Sequence, residues 1–169
     1  MIAWDYVKQK ENHKRKIPQI LKHIEDRDLW KFELPHTKEI MSAVFSYDKT
    51  LESYDKLMRL SSKGIKDLIS VGTVLERKFN LDIAGLIRQC KRIVTFEGHK
   101  VPMANLNGMY ASEAGNIMSE NFPFAGTYYD TALHRVFSLR SRESGIDVSE
   151  IAVRFGGGGH KHAAGFKVD

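Results

Sequence analysis

Most of the chemistry that these residue types can support sits near the carboxy terminus, in the run Arg154-Phe155-Gly156-Gly157-Gly158-Gly159-His160-Lys161-His162-Ala163-Ala164-Gly165-Phe166. Glycine loses more backbone freedom on ordering than any other residue, so four in succession mark a place where bare main chain is needed. Glycines accept positive φ and let consecutive N–H groups converge on a concave nest, and a helix N-terminus behind such a nest attracts an anion. His160 and Lys161 would stand at its rim. The small residues Ala163, Ala164 and Gly165 would let the ensuing turn pack tightly on a sheet. The plainer alternative is a helix C-cap followed by a flexible loop. The run is not a Walker loop, because no Gly-Lys-Ser/Thr follows. Nor does it fit G-x-G-x-x-G, because Lys161 takes the last glycine position.

The elements that must position this run follow from periodicity. Lys8 to Lys16 holds five Lys/Arg and one His, which reads as a solvated helix face or loop. Pro18 suits a first helical turn, and Ile17, Ile20, Leu21 and Ile24 recur at helical spacing up to the charged run Glu25-Asp26-Arg27-Asp28. Thr37 can cap a helix with Ile40, Met41, Val44 and Phe45 on one face, and Asp48 to Leu60 repeats the pattern. The longest periodic stretch keeps Ile65, Leu68, Ile69, Leu75, Phe79, Ile83, Leu86 and Cys90 at steps of three or four, and Gly72 and Gly85 predict a bend or a close helix contact within it.

From Lys91 the period turns toward strand. Residues 92–96 and 100–104 flank Glu97-Gly98-His99 as two strands around a turn. Ser112 to Ser119 reads as a short helix, and Phe124 to Ala132 pairs with Arg135 to Ser141. Alternation puts Phe137 and Leu139 on one face, and Val136, Ser138 and Arg140 on the other. Asp147 and Glu150 have capping-box spacing for a helix that must end at Gly156. The expected fold is α/β: a helical N-terminal segment and a long connecting helix, followed by a small mixed-sheet domain.

Composition bounds the class. With 169 residues and 42% hydrophobic content the chain can bury a core, which argues against disorder. Its net charge of +5 suits an anionic partner without being polybasic. One cysteine, Cys90, excludes an internal disulfide and a cysteine-cluster zinc site, and with it a reducing, cytoplasmic location is expected. No apolar run approaches the roughly 20 residues that span a bilayer, so no membrane partner is expected.

Ser138-Leu139-Arg140-Ser141, Asp147 through Ala152, and Gly156 through His160 with Ala163-Ala164-Gly165-Phe166 together resemble the signature of the DHH-associated domain of Asp-His-His (DHH) phosphoesterases. These include RecJ-like exonucleases, nanoRNases and exopolyphosphatase-related proteins. The related domain of alanyl-tRNA synthetases continues its glycine motif with Arg-Pro and fits less well. The resemblance covers residues 92 to 169, and Ile24 to Trp30 is similar to a segment near the end of the catalytic lobe in the exopolyphosphatase-related branch.

That resemblance implies residues 1–62 as a remnant of the catalytic lobe, 63–91 as a connecting helix and 92–169 as a substrate-binding domain. It implies that Arg140 and His160 contact substrate phosphates, with the Gly157, Gly158 and Gly159 backbone and Ser138 assisting; His162 is either part of this set or a surface residue. Asp26 is the candidate for the last metal-ligand aspartate, with Asp28 as runner-up and a charged helix end as the alternative. Manganese or another divalent metal would serve the intact enzyme, with none held by this chain alone. No Asp-His-His triplet occurs in the sequence. The expectation is therefore the C-terminal portion of a longer enzyme acting on a short oligonucleotide or another phosphate-bearing ligand, inactive without its DHH lobe, with a homodimer left open. A non-enzymatic nucleic-acid or nucleotide binding module is the alternative.

Overall fold

The computed structural model describes residues 2–10 and 16–169. The central part of the basic stretch, residues 11–15, lies outside them. The chain divides into two compact units, Met1–Asn80 and Leu81–Asp169.

The first unit holds α1 (Ile2–Lys10), α2 (Gln19–Asp28), α3 (Thr37–Val44), α4 (Leu51–Met58) and the larger part of α5 (Ser62–Cys90). The apolar positions at helical spacing meet as expected: Ile20, Ile40, Met41, Val44, Leu57, Ile65 and Leu68 form one buried group. Gly72 explains itself by proximity, since a Cβ there would lie 1.8 Å from the Glu39 carbonyl oxygen on α3. Gly85 has open space around it. Two sequence expectations need correcting. Phe45 is exposed because α3 ends at Val44. Thr37 does not cap α3: His36, in a left-handed conformation (φ 65°), precedes the helix, and the Thr37 hydroxyl turns inward.

The second unit is a six-stranded mixed sheet with a helix on each face. Its strands are β1 (Lys91–Phe96), β2 (His99–Asn105), β3 (Ala125–Asp130), β4 (Arg135–Arg140), β5 (Gly158–His160) and β6 (Ala163–Val168), in the order β1-β2-β3-β4-β6-β5. β2 and β3 run parallel and every other pair is antiparallel. The parallel pair needs a crossover, which a 3-10 turn (Gly108–Tyr110) and α6 (Ala111–Met118) supply. Glu97 and Gly98, both at positive φ, close the β1–β2 hairpin in two residues.

α7 (Val148–Arg154) joins β4 to β5. Its Val148, Ile151 and Ala152 bury against Leu139, Ala164 and Phe166, so α7 covers the face that Phe137 and Leu139 share. Each large apolar side chain buried there contributes about 1.5–3 kcal/mol. Phe96, Phe137, Phe155 and Phe166 stack beside it, with Phe137 and Phe166 centroids 4.8 Å apart. α6 lies on the opposite face, because the Arg140 side chain reaches it and Arg140 alternates with Leu139.

Candidate functional site

Sheet register brings the two principal candidates together. His160 stands opposite Ala163, and Ala163 stands opposite Arg140. Directly opposed residues share a face, so His160, Ala163 and Arg140 form one row on the face of α6. The next row on that face is Gly158, Gly165, Ser138 and Thr127. Between the polar side chains Arg140, Ser138 and His160 the floor is thus Ala163, Gly165 and Gly158: backbone and one methyl. A Cβ at Gly158 would meet nothing within 4 Å.

Arg140 is held rather than loose. Its guanidinium donates to the Leu139 carbonyl at 2.8 Å and to Ser112 Oγ on α6 at 2.9 Å. Gly115 permits this approach, since a Cβ there would lie 2.7 Å from Arg140 Cγ. Five N–H groups minus these two leave three donors in a fixed plane. Burial pulls the guanidinium below its ordinary value and the Glu113 carboxylate opposes this; an arginine remains cationic throughout. His160 is exposed at the end of β5.

The first two glycines of the run, Gly156 and Gly157, have structural tasks. Gly156, at φ 74°, and Gly157 donate their N–H groups to the Val153 and Ala152 carbonyls, closing α7. Gly157 then passes so close to β6 that a Cβ would lie 2.1 Å from the Gly165 carbonyl oxygen. No helix follows: β5 and β6 form a hairpin turning at Lys161 and His162, so Ala163, Ala164 and Gly165 lie in a strand rather than a turn. β5 is an edge strand with a partner on one side only.

The Val148 N–H donates to the Lys161 carbonyl at 2.9 Å, anchoring the hairpin tip to α7. Asp147 holds that helix start, accepting from the Ser149 N–H at 2.9 Å; the Ser149 hydroxyl keeps its carboxyl below the usual range. His162 turns to the opposite face from His160, its Nδ1 3.0 Å from Ser141 Oγ. Of the neighbouring arginines, Arg135 and Arg154 pair with Asp130 and Glu97. Arg142 donates to the Asn116 carbonyl on α6. Two residues that motif reading passed over belong to this surface. Ser112 fixes Arg140, and Lys167 lies on the Arg140 face by alternation along β6.

In the first unit Asp26 is 6% exposed and Thr37 2%. Asp26 accepts from the Glu33 N–H (2.9 Å), the Leu34 N–H (3.2 Å) and the Thr37 hydroxyl (2.6 Å). With its proton on that short contact, Thr37 Oγ1 accepts from His23 Nδ1 at 2.9 Å. The carboxylate thereby holds a loop in which Trp30, Phe32 and His36 all adopt positive φ, a strained geometry that needs such support. Burial alone would raise the carboxyl, but the three donors outweigh it and hold the group below its ordinary value. Burial lowers the His23 imidazole. Asp28 is exposed at the end of α2. Among the described residues no three His, Cys, Asp or Glu side chains are grouped to hold a metal ion. The donors among the described residues do not fit a two-metal centre. Among the same residues no helix is long and apolar enough to cross a membrane.

No family model matches the chain. It is 26% identical over 171 residues to R106, an uncharacterised protein of Acanthamoeba polyphaga mimivirus, covering 97% of this chain but 39% of that protein. Among solved structures it is similar to the DHH domain of a member of the s1p family of ribosomal proteins. The TM-score is 0.52 at 10% identity, over 90% of this chain and 42% of the other. A pGpG-specific phosphodiesterase, PggH of Vibrio cholerae, aligns over 96% of this chain and 66% of its own, with a TM-score of 0.49 and 13% identity. The chain shares its fold with a DHH-domain protein and spans about two fifths of the mimivirus relative.

Proposed function

We propose that the second unit is the substrate-binding portion of a metal-dependent phosphodiesterase or phosphohydrolase, and that it takes the phosphate of a short oligonucleotide on the α6 face of its sheet. The observation that carries this reading is the shared row of Arg140 and His160 with only Ala163 between them. A planar guanidinium with three unused donors matches phosphate oxygens in pairs, and an exposed imidazole donates one further N–H even when neutral. The bare floor lets a phosphate approach main chain. The sequence resemblance to DHH-associated domains and the shared DHH-domain fold support the class of reaction. The metal ions and their ligands would come from polypeptide other than these 169 residues.

Fluorescence anisotropy of a labelled pentanucleotide, titrated with wild-type protein and Arg140→Ala at two salt concentrations, tests the binding role. Wild type should bind, and the variant should bind about tenfold or more weakly with a salt slope reduced by about one. Equal affinity for the two proteins removes Arg140 from the site. Manganese-dependent turnover by the pure chain would contradict the assignment of the metal centre to other polypeptide.

A further inference from the structure

We propose that Lys167 takes a second phosphate of the same strand, so that the natural ligand of this face is a single-stranded oligonucleotide longer than a dinucleotide; this rests on the phosphate-binding role given to Arg140. β6 runs from Ala163, opposite Arg140, through Gly165, opposite Ser138, to Lys167, opposite Val136. Alternate residues of a strand share a face at steps of about 6.6 Å, so Lys167 stands about 13 Å along the strand from the Arg140 row. Arg140 cannot swing across that distance, because Ser112 and the Leu139 carbonyl pin its guanidinium. One phosphate group does not span it either. Two separate phosphates do, with the Ser138 hydroxyl standing midway.

Charge points the same way. Lys167 is exposed and makes no ion pair among the described residues. The carboxylates at this end of the sheet already have partners: Asp130 pairs with Arg135 at 2.6 Å, and Asp169 is hydrogen-bonded to His134 at 2.9 Å. β5 ends its pairing opposite Gly165, so the flank of β6 at Lys167 carries no strand beside it. An uncompensated ammonium on the same face as a fixed guanidinium complements a polyanion better than a single phosphate ester.

Labelled oligoriboadenylates of two and five nucleotides, titrated against wild type, Lys167→Ala and Arg140→Ala, provide the test. Lys167→Ala should leave dinucleotide affinity at the wild-type value, weaken the pentanucleotide about tenfold and reduce its salt slope by about one. Arg140→Ala should weaken both ligands. Equal loss for both lengths in Lys167→Ala, or no loss for either, overturns the second-phosphate assignment while leaving the Arg140 site standing. Absence of binding by wild type to either oligonucleotide, or unchanged binding by Arg140→Ala, overturns both readings.

Discussion

Arg140 on β4 and Ser112 on α6 are joined by a 2.9 Å hydrogen bond from guanidinium to hydroxyl, which ties the principal cation of the sheet to the helix that covers it. The bond fixes the plane of the guanidinium without altering its charge. Ser112→Ala should therefore weaken oligonucleotide binding several-fold while the salt slope stays at the wild-type value, because the number of phosphates neutralised is unchanged. Arg140→Lys keeps the charge and loses the planar fork, so it should fall between Ser112→Ala and Arg140→Ala. A salt slope that drops in Ser112→Ala would show that the hydroxyl does more than orient its neighbour.

Gly158 and Gly157 separate binding from folding. A methyl group at Gly158 meets nothing within 4 Å, so Gly158→Ala should fold with wild-type stability yet bind oligonucleotide more weakly, because the methyl stands on the floor between His160 and Ser138. Gly157→Ala drives a methyl to 2.1 Å from the Gly165 carbonyl oxygen and should destabilise the protein by about 1–3 kcal/mol or more. Thermal melts beside anisotropy titrations distinguish the two. Unimpaired binding by Gly158→Ala at full stability would remove the bare floor from the proposed site.

Helices α2 to α7 and the first four strands were legible because their burial follows the periods of the sequence: Ile40, Met41 and Val44 at helical spacing, and Phe137 and Leu139 alternating with Ser138 and Arg140. β5 was not, because a three-residue strand of Gly158, Gly159 and His160 has no side-chain pattern to read, and its pairing depends on a partner later in the chain. The two-residue gap at Lys161 and His162 between short segments was the available hairpin signal. The fold of residues 29–36 was illegible for a different reason. Local preference disfavours positive φ at Trp30 and Phe32, and backbone hydrogen bonds to the Arg27 and Asp26 carbonyls, together with those from Glu33 and Leu34 to the Asp26 carboxylate, offset that preference.

Asp26 and His23 make the first unit sensitive to acid in two stages. Both groups are lowered in the folded state, so each contributes stability above its ordinary value that is lost as pH falls through the folded one. Denaturant unfolding followed by circular dichroism should weaken first below about 6.5, the ordinary histidine value, and again below 3.8, the ordinary aspartate value. Asp26→Asn should diminish the second stage, leaving the part due to Asp130 and Asp147, and start from a lower plateau. Thr37→Val leaves the buried carboxylate short of one donor and should lower stability by about 1–3 kcal/mol at neutral pH. A wild-type profile that is flat across both windows would refute the coupling.

Two glycines on α5 should respond to the same substitution with opposite signs. Gly72 faces α3 so closely that an alanine methyl would sit 1.8 Å from the Glu39 carbonyl oxygen, and neither backbone can give way without disturbing the buried Ile40 and Met41 beside it. Gly72→Ala should therefore destabilise by about 1–3 kcal/mol or more. At Gly85 the space is open, and the only change is in the helix itself: alanine restricts the unfolded chain and is favoured in a helix interior. Gly85→Ala should stabilise by about 0.4–1 kcal/mol. Because the chain forms two compact units, denaturation should be followed with a probe in each, using Trp30 fluorescence for the first and hydrogen exchange of the sheet amides for the second. If Gly72→Ala leaves the first unit as stable as wild type, or more stable, the close approach of α5 to Glu39 is not the reason Gly72 is a glycine.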